Sequence, residues 1–297
     1  MREEVSLAKR VKSSNARKAV RRSLIYLFLI AGGVTMILPF LWMISTSLKS
    51  NYSIFAFDLT KMQKIQWIPH PIYWQHYIDV WKVVPFARFY LNSIFVCVVV
   101  TFGQVATSAL AAYAFARLRF PGRDKLFFAY LATMMIPGSV TMIPVFTMMS
   151  AFGWIDSYKA LIIPAIFSAY GTFLLRQFFM TLPRDLEDAA KIDGCSSWGI
   201  FWRVILPLSH TALATLTIFV SLGNWVSFMW PLLVTNSIEK KTLPIGLAYF
   251  QELYQYAQPE WGLLMAGSLI TMVPIIIIFL FNQRFFIEGI KLTGMKG

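Results

Sequence analysis

Long stretches without a single Asp, Glu, Lys or Arg constrain this chain more than any other feature. Residues 24–48, 89–116, 126–155, 204–238 and 261–283 are free of these charges. A shorter stretch, 160–175, regains its apolar character after Arg176 as far as Met180. A bilayer core about 30 Å thick takes roughly 20 helical residues to cross. Barrel strands would be about 10 residues long and alternating, and these are neither. The pattern predicts an all-α integral membrane protein with six transmembrane helices.

Composition agrees. Of 297 residues, 57% are hydrophobic and 14% charged, where a soluble domain has about 45–50% and about 25%. That argues against a soluble enzyme, a disordered chain or a disulfide-rich module. Cys97 lies in an apolar run and Cys195 in a distant polar segment, so a disulfide between them is not expected. With only His70, His76 and His210, a histidine-built zinc site is not expected, and no metal or cofactor is called for.

The net charge of +13 follows from topology. Residues 1–23, 117–125, 176–203 and 284–297 carry 19 Lys or Arg, and residues 49–88, 156–159 and 239–260 carry 8. By the positive-inside rule both termini are cytoplasmic, which leaves no case for nucleic acid as a partner. The first apolar run is too long for a signal-peptide core, so it reads as an uncleaved span. The expected organisation is a basic N-terminus (1–23), a transmembrane domain (24–283) and a cytoplasmic tail (284–297). Two aromatic loops, 49–88 and 239–260, face outward, either as an interfacial belt or as a docking surface for an extracytoplasmic partner.

Pro39, Pro137, Pro144, Pro164, Pro231 and Pro274 fall inside the spans. They fit ordinary membrane-helix composition or a bundle that must rock. Ionisable residues at mid-span normally mark ion or proton relays. Here the larger polar residues are Asn92, Gln104, Asn224 and His210, none a carboxylate, which disfavours proton or sodium coupling.

The segment 181–208, TLPRDLEDAAKIDGCSSWGIFWRVILPL, carries the remaining information. Thr181 is a candidate N-cap, Pro183 suits a helix start, and Asp185 and Glu187 suit a first turn. Gly194 suits a left-handed stop. The expected helix spans 183–193, with Ala189 and Ala190 leaving one face without bulk. A second apolar stretch (Trp198, Ile200, Phe201, Val204) breaks at Pro207. Such a helix suits insertion into a groove of another protein or rest on lipid headgroups.

The segment resembles the coupling loop of binding-protein-dependent ABC transporter permeases: Glu-Ala-Ala, three residues, Gly, nine residues, Ile-x-Leu-Pro. Here Asp188-Ala189-Ala190, Gly194 and Val204-Ile205-Leu206-Pro207 keep that spacing. Asp188 replaces Glu and Val204 replaces Ile. Further stretches are similar to the second permease subunit of the carbohydrate-uptake (maltose) class. They are Met135–Gly138, Ile143-Pro144, Gly153–Asp156, Phe173–Phe179, Thr242–Leu247, Trp261–Ala266 and Phe285–Ile290, with the end Lys296-Gly297. The family often has Trp-Asn-x-Phe-x-Trp-Pro in the fifth span. This chain reads Trp225-Val226-Ser227-Phe228-Met229-Trp230-Pro231, with Asn224 adjacent instead.

The resemblance implies a type I importer fold in a bacterial inner membrane. It implies a sugar substrate, two ATP-binding cassette subunits, a second and different permease, and an extracytoplasmic solute-binding protein. The chain has no Gly-x4-Gly-Lys-Ser/Thr loop, so ATP is hydrolysed by a partner and the chain is not an enzyme. The implied ATPase contacts are Glu187, Asp188, Ala189, Ala190, Gly194 and Pro207, with a bulky side chain at Ala190 expected to clash with the ATPase groove. The tail beyond Phe285 is expected near the ATPases. The implied substrate path includes Asn224, Trp225, Ser227 and Trp230. Another solute (a polyol phosphate, uronic-acid oligosaccharide or peptide) is the alternative. A passive channel would have no use for the spaced motif. An enzymatic centre would have to use the one carboxylate cluster, Asp185, Glu187, Asp188 and Asp193, which the motif accounts for.

Overall fold

The computed structural model describes residues 2–50, 67–253 and 260–294. Residues 51–66 of the loop 49–88, 254–259 of the loop 239–260 and the Lys296-Gly297 end lie outside the described residues, as do the side chains of 2–17, 19, 20, 251–253 and 282–294. The chain forms two compact units, Met1–Ile78 with Glu260–Leu269, and Asp79–Pro259 with Ile270–Gly297.

Among the described residues the chain is nearly all helix. In order these are α1 (Arg2–Ser47), α2 (Gln75–Val83), α3 (Phe86–Arg117), α4 (Arg123–Ala132), α5 (Gly138–Ala151), α6 (Tyr158–Ile162) and α7 (Ala169–Thr181). Then follow α8 (Asp185–Ile192), α9 (Ser197–Ile200), α10 (His210–Trp225), α11 (Met229–Val234), α12 (Leu243–Leu253) and α13 (Trp261–Gly294). Among the described residues four helices are long and apolar enough to cross a membrane: Arg21–Ser47, Phe86–Arg117, Tyr158–Thr181 and Trp261–Phe281. The number rises to six if each of two bent pairs is one span.

The bends are where the structure departs from the straight spans read in the sequence. Arg123–Met135 meets Gly138–Ala151 at 99°. A residue before proline is pushed out of the helical region, and Ile136 is extended (φ −87°, ψ 118°) ahead of Pro137 (ψ 136°). Ser197–Leu208 meets His210–Trp225 at 78°. Pro207 has no N–H to give Arg203, and Phe201–Ile205 widens into a π-helix just before it. The stretch 204–238 is therefore a break at Ser209, then α10, then an unwound Val226–Phe228, then α11.

In the first unit, the end of α1 is knotted to residues 67–77. Ser47 Oγ bonds Tyr77 Oη at 2.8 Å, and His76 Nε2 bonds Lys49 O at 2.9 Å. Burial pushes the Lys49 amine below its usual pKa, and the Trp42 ring faces it at 4.5 Å.

The second unit is organised around α3. Its small residues Ala109, Ala112 and Ala116 let α7 and α10 approach closely, burying Leu175, Phe179, Ala212 and Leu216 in one core. Gly171 of α7 is part of that approach, since a Cβ there would lie 2.5 Å from Ser108 Oγ. At the other end of α3, Asn92 is fully satisfied. Its amide donates to Glu239 O and Lys241 O at 2.8 Å, and its oxygen accepts from Tyr158 Oη at 2.8 Å. Ser93 Oγ accepts from Leu243 N at 2.7 Å, so α3 grips the start of α12.

Nearby, Asp156 (φ 60°) holds the turn after α11. Its Oδ1 accepts from Asn236 N, Ser237 N and Ser237 Oγ at 2.9, 3.0 and 2.9 Å. Burial alone would raise its pKa. The hydrogen bonds from Ser237 and Asn236, with the charge of Lys240, outweigh burial and hold it below the usual carboxylate value. A depressed carboxylate contributes stability above its unfolded pKa and loses it as pH falls through the folded one. Asp156→Ala should lower unfolding stability in detergent by about 1–3 kcal/mol at neutral pH. The gap from wild type should close as both are acidified below the carboxylate range, read by thermal melts across pH.

Candidate functional site: the segment 181–208 and a cavity

The segment 181–208 is seated by its own side chains. Thr181 does not cap the helix that follows. It is the last residue of α7, and its Oγ1 donates back to Phe178 O at 2.7 Å. The helix starts later than expected, at Asp185, with Arg184 as N-cap, and its first turn holds Asp185, Glu187 and Asp188. It stops where Gly194 adopts φ 81°. Gly194 N bonds Lys191 O at 3.0 Å and Cys195 N bonds Ala190 O at 2.9 Å, the paired bonds of a Schellman stop.

Residues advance about 100° each around a helix, so α8 has two distinct faces. Glu187 and Ala190, three apart, face inward. Glu187 is buried, and its Oε1 lies 2.9 Å from Arg117 Nε, both side chains under one-tenth exposed. The N–H is not aligned on that oxygen, so the contact is Coulombic more than a hydrogen bond. The same guanidinium donates to Phe179 O and, at 2.7 Å, to Leu182 O. Arg117 thus joins the ends of α3 and α7 to α8. Ala190 and Cys195 pack on the core beneath. Tyr113 completes the seat, with its ring 5.2 Å from that of Phe201 and its hydroxyl donating to Ser197 O at 3.1 Å.

The outward face carries Leu186, Ala189 and Ile192, spaced by three. Leu186 is 44% exposed and Ile192 87%. Asp185 and Asp188 flank this stripe and are exposed. Lys191 Nζ donates to Asp188 Oδ1 at 2.9 Å, and this bond holds the Asp188 carboxyl below its usual pKa. Pro207 is exposed at the break before α10, and Trp198 and Trp202 are each 61% exposed.

Away from this segment, a cavity of about 340 Å³ lies where α10 unwinds, within the size range of small-molecule sites. Asn224, Ser227 and Trp230 line it, joined by Ser93, Thr141 and Thr242, and the lining has no ionisable side chain. Asn224 uses one amide hydrogen on Val220 O at 2.8 Å. The Trp230 indole N–H is engaged by Ala160 O at 2.9 Å, which fixes the ring. Thr242 Oγ1 is buried with no partner among the described residues. Trp225 is not on this wall. It is buried, and its indole N–H donates to Thr271 O at 3.1 Å.

Residues 104–291 match the family described as binding-protein-dependent transport system inner membrane component. The chain belongs to that family. It is 40% identical, over 69% of its own length and 73% of the relative's, to the arabinooligosaccharides transport system permease protein AraQ of Halalkalibacterium halodurans. It is 35% identical, over 75% and 81%, to the sn-glycerol-3-phosphate transport system permease protein UgpE of Yersinia pestis. A bacterial ABC transporter involved in import of the acidic polysaccharide alginate shares its fold, with TM-score 0.78, 23% identity, and 89% of this chain and 95% of that one covered. The chain is a multi-pass inner-membrane component of a transport system, with the helical fold of ABC importer permeases.

Two residues that seat this segment carry no mark of it in the sequence. Arg117 contributes to the basic charge of the loop 117–125, and nothing in the sequence says which carboxylate it meets. Tyr113 lies in an apolar run with no mark of its role. Arg117→Ala leaves a buried, uncompensated carboxylate and should destabilise the subunit by about 3–5 kcal/mol. Arg117→Met combined with Glu187→Leu should recover most of that loss, read by thermal unfolding and by protease cleavage within 181–208.

Proposed function

We propose that this chain is one of two different permease subunits of an ATP-driven sugar importer in a bacterial inner membrane. It has six spans with both termini in the cytoplasm, and both bent helix pairs count as single spans. The domain organisation is the basic N-terminus 1–23, the transmembrane domain 24–283 and the tail 284–297. Two ATP-binding cassette subunits hydrolyse ATP, each gripping one coupling helix, and a solute-binding protein delivers the sugar to the outward loops.

The single observation that carries the coupling role is the exposed stripe of Leu186, Ala189 and Ile192 on α8, ringed by acidic residues and held outward by the buried Glu187. A groove on the ATPase takes the apolar stripe. Asp188 offers it charge-assisted hydrogen bonds. Gly194 and Pro207 shape the segment. Glu187 and Ala190 orient the helix from inside rather than touching the partner.

The cavity supports a neutral, hydroxyl-rich solute. Asn224, Ser227 and Thr242 provide hydrogen-bonding groups and Trp230 an aromatic surface, and no charge is offered to an anion. Trp225 supports the wall by holding α10 to residue 271.

Uptake of labelled sugar into proteoliposomes carrying the whole transporter tests this reading. Ala189→Trp should abolish uptake and ATPase retention while the subunit's melting temperature stays near wild type. Ala190→Trp should lower that temperature, because it overpacks the subunit's own core by about 1–3 kcal/mol. Full uptake by Ala189→Trp would contradict the docking face.

A further inference from the structure

Beside the coupling segment, a cleft of about 610 Å³ is lined by Arg119, Phe120, Arg123, Asp124, Lys125 and Arg184. Four cations therefore face one carboxylate. That carboxylate is already claimed, since Asp124 Oδ1 lies 3.0 Å from Arg123 Nε and 3.9 Å from an Arg176 nitrogen. The side chains of Arg119, Lys125 and Arg184 make no hydrogen bond or ion pair among the described residues, and the other carboxylate that feels the charge of Arg184, Asp188, is bonded to Lys191. Unmatched cations gathered around a concave surface are held apart at a cost that an anion would relieve.

The level of the cleft identifies the anion. Arg123 opens α4, the first half of a bent pair apolar enough to span. One turn further on, Leu126 is 56% exposed and Phe128 76%. Cations at the mouth of an exposed apolar helix lie at headgroup depth, with acyl chains below. An acidic surface of a partner protein would gain nothing from Leu126 and Phe128. We infer that this cleft binds the phosphate of an anionic phospholipid, with Arg119, Lys125 and Arg184 as its donors.

Because Arg184 is the N-cap of α8, the bound headgroup ties the loop 118–125 to the base of the coupling helix. The inference rests on the chain's place in a membrane, and not on which solute it carries or on the ATPase contact.

The test is native mass spectrometry of the purified full chain with phosphatidylglycerol or phosphatidylcholine. Wild type should retain phosphatidylglycerol and not phosphatidylcholine. At about fivefold per cation, R119Q/K125Q/R184Q should retain phosphatidylglycerol roughly 100-fold less well. The single variant K125Q, about fivefold weaker, serves if the triple variant folds poorly. K18Q/R21Q/R22Q, which removes three exposed cations elsewhere, should retain it as wild type does.

Equal retention by wild type and the triple variant would overturn the site. So would equal loss in the control variant, which would mean bulk charge alone. Displacement of the lipid by millimolar inorganic phosphate would show that the cleft takes free phosphate, overturning the lipid. Unchanged lipid retention with loss of the ATPase from the whole transporter in the triple variant would make it a protein contact and overturn the proposal.

Discussion

The buried ion pair between Arg117 and Glu187 fixes what the rest of one end of this molecule does. A buried pair is weak evidence for stability, since desolvating two charges consumes most of their attraction. Its effect is directional. With Glu187 drawn to the end of α3 and Ala190 on the core beneath, α8 has only one rotation left. That rotation exposes Leu186, Ala189 and Ile192. The same guanidinium bonds two carbonyls at the end of α7. A pull on α8 is therefore felt by two membrane-spanning elements through one side chain.

The other end of α3 is held by uncharged groups. Asn92 satisfies its donors and acceptor internally, as a polar side chain in a membrane must. Beside this end, next to Ser93 and Val96, α10 unwinds at Val226–Phe228 and the cavity opens there. Irregular backbone at membrane depth is tolerated where it is buried in protein or lines a cavity. The break and the cavity are thus two aspects of one feature. The lining is largely apolar, with Ser93, Thr141, Asn224, Ser227 and Thr242 as its uncharged polar groups.

The apolar stretches were legible because their length answers to a fixed bilayer thickness. The segment 181–208 stood out through its residue spacing, and Gly194 through the left-handed conformation that only glycine takes without strain. Other features were not legible because they depend on which neighbour lies where. Glu187 and Asp188 are adjacent carboxylates, and only the position of Arg117 makes one an internal anchor and the other exposed. Ala189 and Ala190 look alike in the sequence, yet one faces out and the other packs inside. Pro137 and Pro207 were visible as candidate kinks, but the size of each bend depends on packing. Of the four residues around the unwound end of α10, Asn224, Ser227 and Trp230 reach the cavity, while Trp225 bonds residue 271 and misses it.

The most direct measurement is site-specific photo-cross-linking in the assembled transporter, with the probe placed in turn at Ile192 and Ala190. The two positions are two residues apart on α8 but on opposite faces. The account requires a strong adduct to the ATPase subunit from Ile192 and none from Ala190. Equal adducts from both, or an adduct from Ala190 alone, would contradict the orientation that the Arg117–Glu187 pair imposes and the coupling role built on it.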